Sequence, residues 1–278
     1  MFACVALVVA TVPASADPAR DPTRDAIEQR FAKDGKAQVL ALALFDETGD
    51  VVVEGPEETM DGGYRGEIHL VPALPIGGAR DHLAWTVDAL RGFDRFIAAL
   101  YNDVDAKPAY RWHQLELRFV RSVGKRTPSM FTAGFTITHN LEGSLLTSDG
   151  GVASTLWHEI FHSNDQAHGD WSRKALGADY EQIVARCGTK KACLAPFAPN
   201  DTVVRGGTFY AFQPNNGDGV REYAAELAVR YFDEQRAMLA HGKLGRGAFK
   251  CGPAENARAW RALVDEFFAG RDLVPTCR

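Results

Sequence analysis

Two histidines four residues apart, with a glutamate directly after the first, stand in His158-Glu159-Ile160-Phe161-His162. At about 3.6 residues per turn, positions i and i+4 of an α-helix project from one face, so both imidazoles can offer a ring nitrogen to one ion. Glu159 falls too far round the helix to be a third ligand, yet close enough to hold and deprotonate a metal-bound water. Zinc suits such donors, and a catalytic zinc takes three protein ligands plus a water. The segment therefore needs one more nitrogen or oxygen from elsewhere in the chain.

The flanking residues must make a helix that presents this face. Ser148-Asp149-Gly150-Gly151 supplies a capping residue and a turn, and Val152, Leu156 and Ile160 are spaced to bury one side. Two candidates can complete the ligand set. In the stretch from Arg221 to Phe232, Glu222 and Glu226 lie four apart among apolar and small residues, and a buried carboxylate needs a compensating partner such as a metal. His168, just past the paired histidines, is the other.

The segment His158–His162 resembles the H-E-x-x-H signature of zinc metallopeptidases. Asn164 departs from it, standing where that family has an apolar residue. A glutamate helix well downstream is similar to the gluzincins, and Glu222-Tyr223-Ala224-Ala225-Glu226 is similar to the anthrax lethal factor type of secreted zinc peptidase. That resemblance implies Zn2+ held by His158, His162 and Glu222, with Glu226 orienting a ligand from behind. It also implies Glu159 as general base and Tyr210, in Thr208-Phe209-Tyr210-Ala211-Phe212, as an oxyanion stabiliser. The run from His158 to His168 has the spacing of the metzincin signature, but Asp165 replaces its glycine and Met238 reads as helical rather than as a methionine turn. Turn chemistry therefore favours Glu222 over His168.

The fold implied is α+β and zincin-like. A small mixed or antiparallel sheet lobe over about residues 24–147 faces a helical lobe over about 148–278 across a cleft. In such enzymes the strand just upstream of the metal helix forms a cleft edge where an extended peptide can add as a further strand. The activity implied is zinc-dependent hydrolysis of a polypeptide. The alternative is a secreted zinc-binding or interaction protein, its site either catalytically lapsed or closed by His158, His162, His168 and Glu222 so that no position remains for water.

At 278 residues the chain is long enough for one substantial core, and a formal charge of −5 without a run of lysine and arginine argues against nucleic acid. A single domain and a monomer are expected. Phe2 to Val12 is apolar and Ala14-Ser15-Ala16 is a small-residue cleavage site, so residues 1–16 resemble a signal peptide of a secreted or periplasmic protein. That apolar run is too short to span a membrane. Removing Cys4 leaves four cysteines, and an exported chain would pair them. Three connectivities exist, of which Cys187 with Cys193 and Cys251 with Cys277 is preferred.

Elsewhere, residues 24–34 read as helical, and Val39 to Phe45 as a buried strand forming a hairpin with Val51-Val52-Val53. Glu67 to Val71, Gln114 to Val120 and Phe135 to Thr138 read as strands, and Arg80 to Val104 as a long helix. His139 and Asn140 read as turn residues, and His82 and His113 as structural. Gln213 to Gly219 is a loop feeding the glutamate helix, and Trp260, Leu263, Val264 and Phe267 mark a last amphipathic helix.

Overall fold

A computed structural model describes residues 21–62, 66–204, 206–214 and 217–277; the segment 1–16 lies outside the described residues. In chain order the helices are α1 (Pro22–Arg30), α2 (Gly35–Thr48), α3 (Arg80–Leu100), α4 (Asp149–Ala167), α5 (Trp171–Cys187), α6 (Lys191–Leu194), α7 (Gly219–His241) and α8 (Ala254–Phe267). The strands are β1 (Val51–Val53), β2 (Glu58–Asp61), β3 (Glu67–Pro72), β4 (Glu116–Ser122), β5 (Met130–Ala133) and β6 (Thr136–Asn140). The architecture is mixed α+β, with one sheet and several helices.

The expected hairpin over residues 39–53 is corrected. Gly35–Thr48 is a helix, capped by the Asp34 carboxylate accepting from the Ala37 N–H and closed by Gly49 in the left-handed region at φ 73°. Ala37, Ala41 and Leu44 are buried at helical spacing while Val39 stays 65% exposed, which is a helical stripe and not strand alternation. An apolar run of this length suits either state, and the caps outside it decide. Val51–Val53 is a strand, but its partner is β4, in parallel.

The sheet runs β2-β3-β4-β6-β5, with β1 also on β4. β4 and β6 are parallel, whereas β5 and β6 are antiparallel. This corrects a second expectation: β6, the strand just before α4, is interior, and the edge beside it is β5. His139 and Asn140 are likewise strand residues, paired with Phe119 and Val120 of β4, and both are buried. The Asn140 amide stays in the ladder because its Nδ2 donates to Ser122 Oγ and Pro128 O, each at 2.8 Å.

Helix α4 starts where Ser148 Oγ accepts from the Gly151 N–H. From Leu156 to Asp165 every residue is buried, as expected of a helix enclosed on all sides. It contacts α3 and α7 as well as β5 and β6. Trp157 anchors it: the indole stacks on Tyr110 at 4.6 Å and Phe232 at 4.5 Å, and its Nε1–H donates to Ala228 O of α7 at 3.0 Å. Replacing such a fully buried tryptophan with alanine costs about 3–5 kcal/mol. The cysteines pair Cys187–Cys193 and Cys251–Cys277, the first at the end of α5 and the second near the C-terminus. Among the described residues no helix is long and apolar enough to cross a membrane.

Candidate metal centre

His158 and His162 lie one turn apart on α4, and Glu222 lies in the first turn of α7, which packs against α4. Each contributes a possible ligand atom, and these atoms all lie within 4.8 Å of one another. The two Nε2 atoms are 3.1 Å apart, and Glu222 Oε2 is 3.2 Å from that of His158 and 3.7 Å from that of His162. Tetrahedral zinc with bonds near 2.1 Å separates its ligand atoms by roughly 3.4 Å. The donor set, two imidazoles and a carboxylate, therefore fits zinc in both chemistry and spacing.

Behind His158, Glu226 Oε1 lies 3.2 Å from Nδ1, so a proton on Nδ1 leaves Nε2 with its lone pair toward the centre. Glu226 is itself held: Asn200 Nδ2 donates to its Oε2 at 3.0 Å and to its backbone carbonyl at 2.8 Å. Asn200 was not legible in the sequence, since a lone asparagine in a loop carries no spacing signal.

The electrostatics follow from burial and proximity. Burial works against a charged His158, but Glu222 and Glu226 outweigh it and raise its pKa well above the ordinary histidine value. The same histidines outweigh burial at Glu222 and hold its carboxyl well below the usual carboxylate range. Burial raises the pKa of Glu159, against a downward pull from His162 and His158.

Tyr210 lies in a short 3-10 turn, Tyr210–Phe212, its ring centroid 5.8 Å from that of His158 and roughly perpendicular to it. A phenol missed by sequence reasoning, Tyr180, stacks on Phe212 at 5.6 Å. A Cβ at Gly219, the first residue of α7, would lie 2.1 Å from its hydroxyl, so only glycine admits this approach. Burial, with the charges of Asp218 and Glu222, pushes Tyr180 up to about 12.

The rival ligand does not join the group. His168 caps the C-terminal end of α4, with Nδ1 2.6 Å from Glu266 Oε1 and its ring against Phe267 at 4.7 Å. Asp165 marks no turn: the helix runs on to Ala167, and the left-handed residues are Gly169 and Asp170. Asp165 is instead fully buried, accepting from the Ser172 N–H at 2.7 Å and its hydroxyl at 2.8 Å, with Arg221 Nε at 3.4 Å. Asn164 has a comparable task. Its Oδ1 accepts from the Arg111 N–H at 2.7 Å, and its Nδ2 donates to Arg111 O and Ile160 O at 2.8 Å each. Met238 lies in α7. Of the histidines read as structural, His113 bonds Asp94 at 2.6 Å, and His82 bonds His139 at 2.9 Å.

Compared with known proteins, the chain matches no family model, no curated protein and no solved structure.

Proposed function

We propose that this chain is an exported zinc-dependent metallopeptidase of gluzincin-like, zincin-type fold, acting as a monomer on polypeptide substrates. One observation carries the reading: His158, His162 and Glu222 converge within 4.8 Å, with Glu159 next to the first of them on α4. Bound there, zinc supplies a Lewis acid and lowers the pKa of water to about 7. Glu159 takes the proton of the attacking water and returns it to the leaving amine nitrogen. Its raised pKa suits both halves of that exchange. Tyr210 donates a hydrogen bond, keeping its proton, to the carbonyl oxygen as negative charge develops there. Glu226, through Nδ1 of His158, fixes the ring that must present Nε2.

The closed form of the binding-protein alternative needs His168 as a fourth ligand, and the engagement of that residue with Glu266 speaks against it; the catalytically lapsed form is separated by turnover. Export is supported by the two disulfides, which persist in oxidising compartments. The test uses zinc-loaded Glu159→Gln. It should keep a full complement of zinc while cleavage of casein falls by about 100-fold or more. Full activity in the loaded variant would refute the assignment, and zinc without turnover in the wild type would favour the binding protein.

A further inference from the structure

A cavity of about 360 Å³ opens between the start of α3 and the loop joining β6 to α4, lined by His82, Trp85, Arg126, Leu141, Glu142 and Leu146 among others. It shares no lining residue with the candidate metal centre. Leu141 and Leu146 are core residues, and Trp85 packs its ring against His82 at 5.2 Å, so part of the wall is apolar.

The polar groups are arranged asymmetrically. Glu142, the lining carboxylate, is bound by Arg121, whose Nη1 donates to it at 2.7 Å. Arg126 donates its Nε–H to the carbonyl of Glu142 at 3.2 Å, and its terminal amino groups have no protein partner among the described residues. Arg126, exposed to solvent, is therefore a cation of the wall with no carboxylate partner among the described residues.

His82 adds a second donor. Its Nδ1 faces Nε2 of His139 at 2.9 Å, while Nδ1 of His139 is buried with no hydrogen-bond partner among the described residues. A buried N–H without an acceptor is rarer than an unused lone pair, so the proton of His139 belongs on Nε2, donating to Nδ1 of His82. His82 then carries its own proton on Nε2, the nitrogen left for an outside partner. Neutral His82 is consistent with its burial and the nearby charge of Arg121, which lower its pKa against the opposing pull of Asp81.

From this juxtaposition we propose that the cavity binds a monocarboxylate with an apolar or aromatic body, the carboxylate taking hydrogen bonds from Arg126 and His82 and the body lying against Trp85, Leu141 and Leu146. The shared chemistry is that of a small free acid or of the C-terminal residue of a peptide.

The experiment is calorimetric titration of the full chain with N-acetyl-phenylalanine, with its amide, and with acetyl-Gly-Gly-Gly-Phe bearing a free C-terminus. Each titration is run with and without a chelator, because a carboxylate can also bind at a metal. The acids should bind about tenfold or more tighter than the amide, and that preference should survive chelation. It should be lost in Arg126→Gln, while Trp85→Ala should weaken both acids without restoring the amide. Tighter binding of the peptide assigns a chain terminus, and tighter binding of N-acetyl-phenylalanine assigns a small acid. Equal affinity for acid and amide, no binding at millimolar probe, or binding that chelation abolishes and Arg126→Gln leaves intact would each overturn the proposal.

Discussion

Glu226→Gln tests whether the carboxylate behind His158 tunes metal affinity, and the local hydrogen bonds show why the near-isosteric change is not neutral. Glu226 Oε1 faces His158 Nδ1 at 3.2 Å, and Oε2 accepts from Asn200 Nδ2 at 3.0 Å. Glutamine offers one oxygen and one amino group in their place. If the oxygen stays toward His158, the amino group meets the Asn200 donor; if it turns toward Asn200, the amino group meets the imidazole N–H. A compensating flip of Asn200 would forfeit its 2.8 Å bond to the Glu226 carbonyl. Either outcome removes the negative charge that makes His158 a better donor. Outer partners of this kind are worth about 10–100-fold in metal affinity, or about 1.4–2.7 kcal/mol. Competition with a chromophoric chelator gives the zinc Kd, and circular dichroism of the metal-free variant checks that the fold is retained. Asn200→Ala should fall between wild type and Glu226→Gln, since it loosens the carboxylate without neutralising it. A folded Glu226→Gln protein that holds zinc within about twofold of wild type would refute the reasoning.

The ligand set itself separates by stoichiometry: Glu222→Ala should lose bound zinc and His168→Ala should keep it, and the reverse pattern by metal analysis would restore the rival ligand. Away from the metal centre, burial and the neighbouring His82 push His139 down to about 3, below the ordinary histidine value near 6.5. The unfolded chain then binds the extra proton between those values, so this residue's contribution is fully present above about pH 6.5 and is lost as pH falls toward 3. Between pH 6.5 and 5 that loss is about 2 kcal/mol, and urea unfolding of His139→Asn should show a correspondingly flatter pH dependence. An unchanged slope would show that His139 is not the group responsible.

What was legible in the sequence was whatever repeats locally. The i, i+4 spacing of His158 with His162 and of Glu222 with Glu226, and the Ser148 cap, sit in continuous stretches, and two long helices carry them as read. The choice between Glu222 and His168 rested on turn chemistry at Asp165, yet the structure turns later, at Gly169 and Asp170. Asp165 therefore carries no information about which of the two residues is the ligand. The failures share a cause. Val39 to Phe45 has no decisive period of its own, and the caps at Asp34 and Gly49 override it. Strand order depends on partners far apart in the chain, so neither the interior place of β6 nor the edge place of β5 could be read from either segment. Asn200 and Tyr180 enter the neighbourhood of the site only by folding, as single residues without a pattern.

A helix buried on every side could slide or rotate if apolar packing alone held it, since hydrophobic contacts are not directional. On α4 the polar residues remove that freedom, each bound to a different segment. Ser163 meets Thr132 of β5 with its hydroxyl at 2.9 Å, Asn164 clamps the Arg111 backbone, and Asp165 takes the Ser172 N–H at the start of α5. Asp165 also lies 3.4 Å from Arg221 Nε, immediately before Glu222, an ion pair between the C-terminal end of α4 and the first turn of α7. Directional bonds on successive residues fix both the rotation and the height of the helix, because each would be lost, and left buried, by a shift of one position. The departure at Asn164 from the apolar residue of the zinc-protease pattern thus has a physical reading. This chain spends a polar side chain there to hold the paired histidines in register with a carboxylate that arrives from a distant helix.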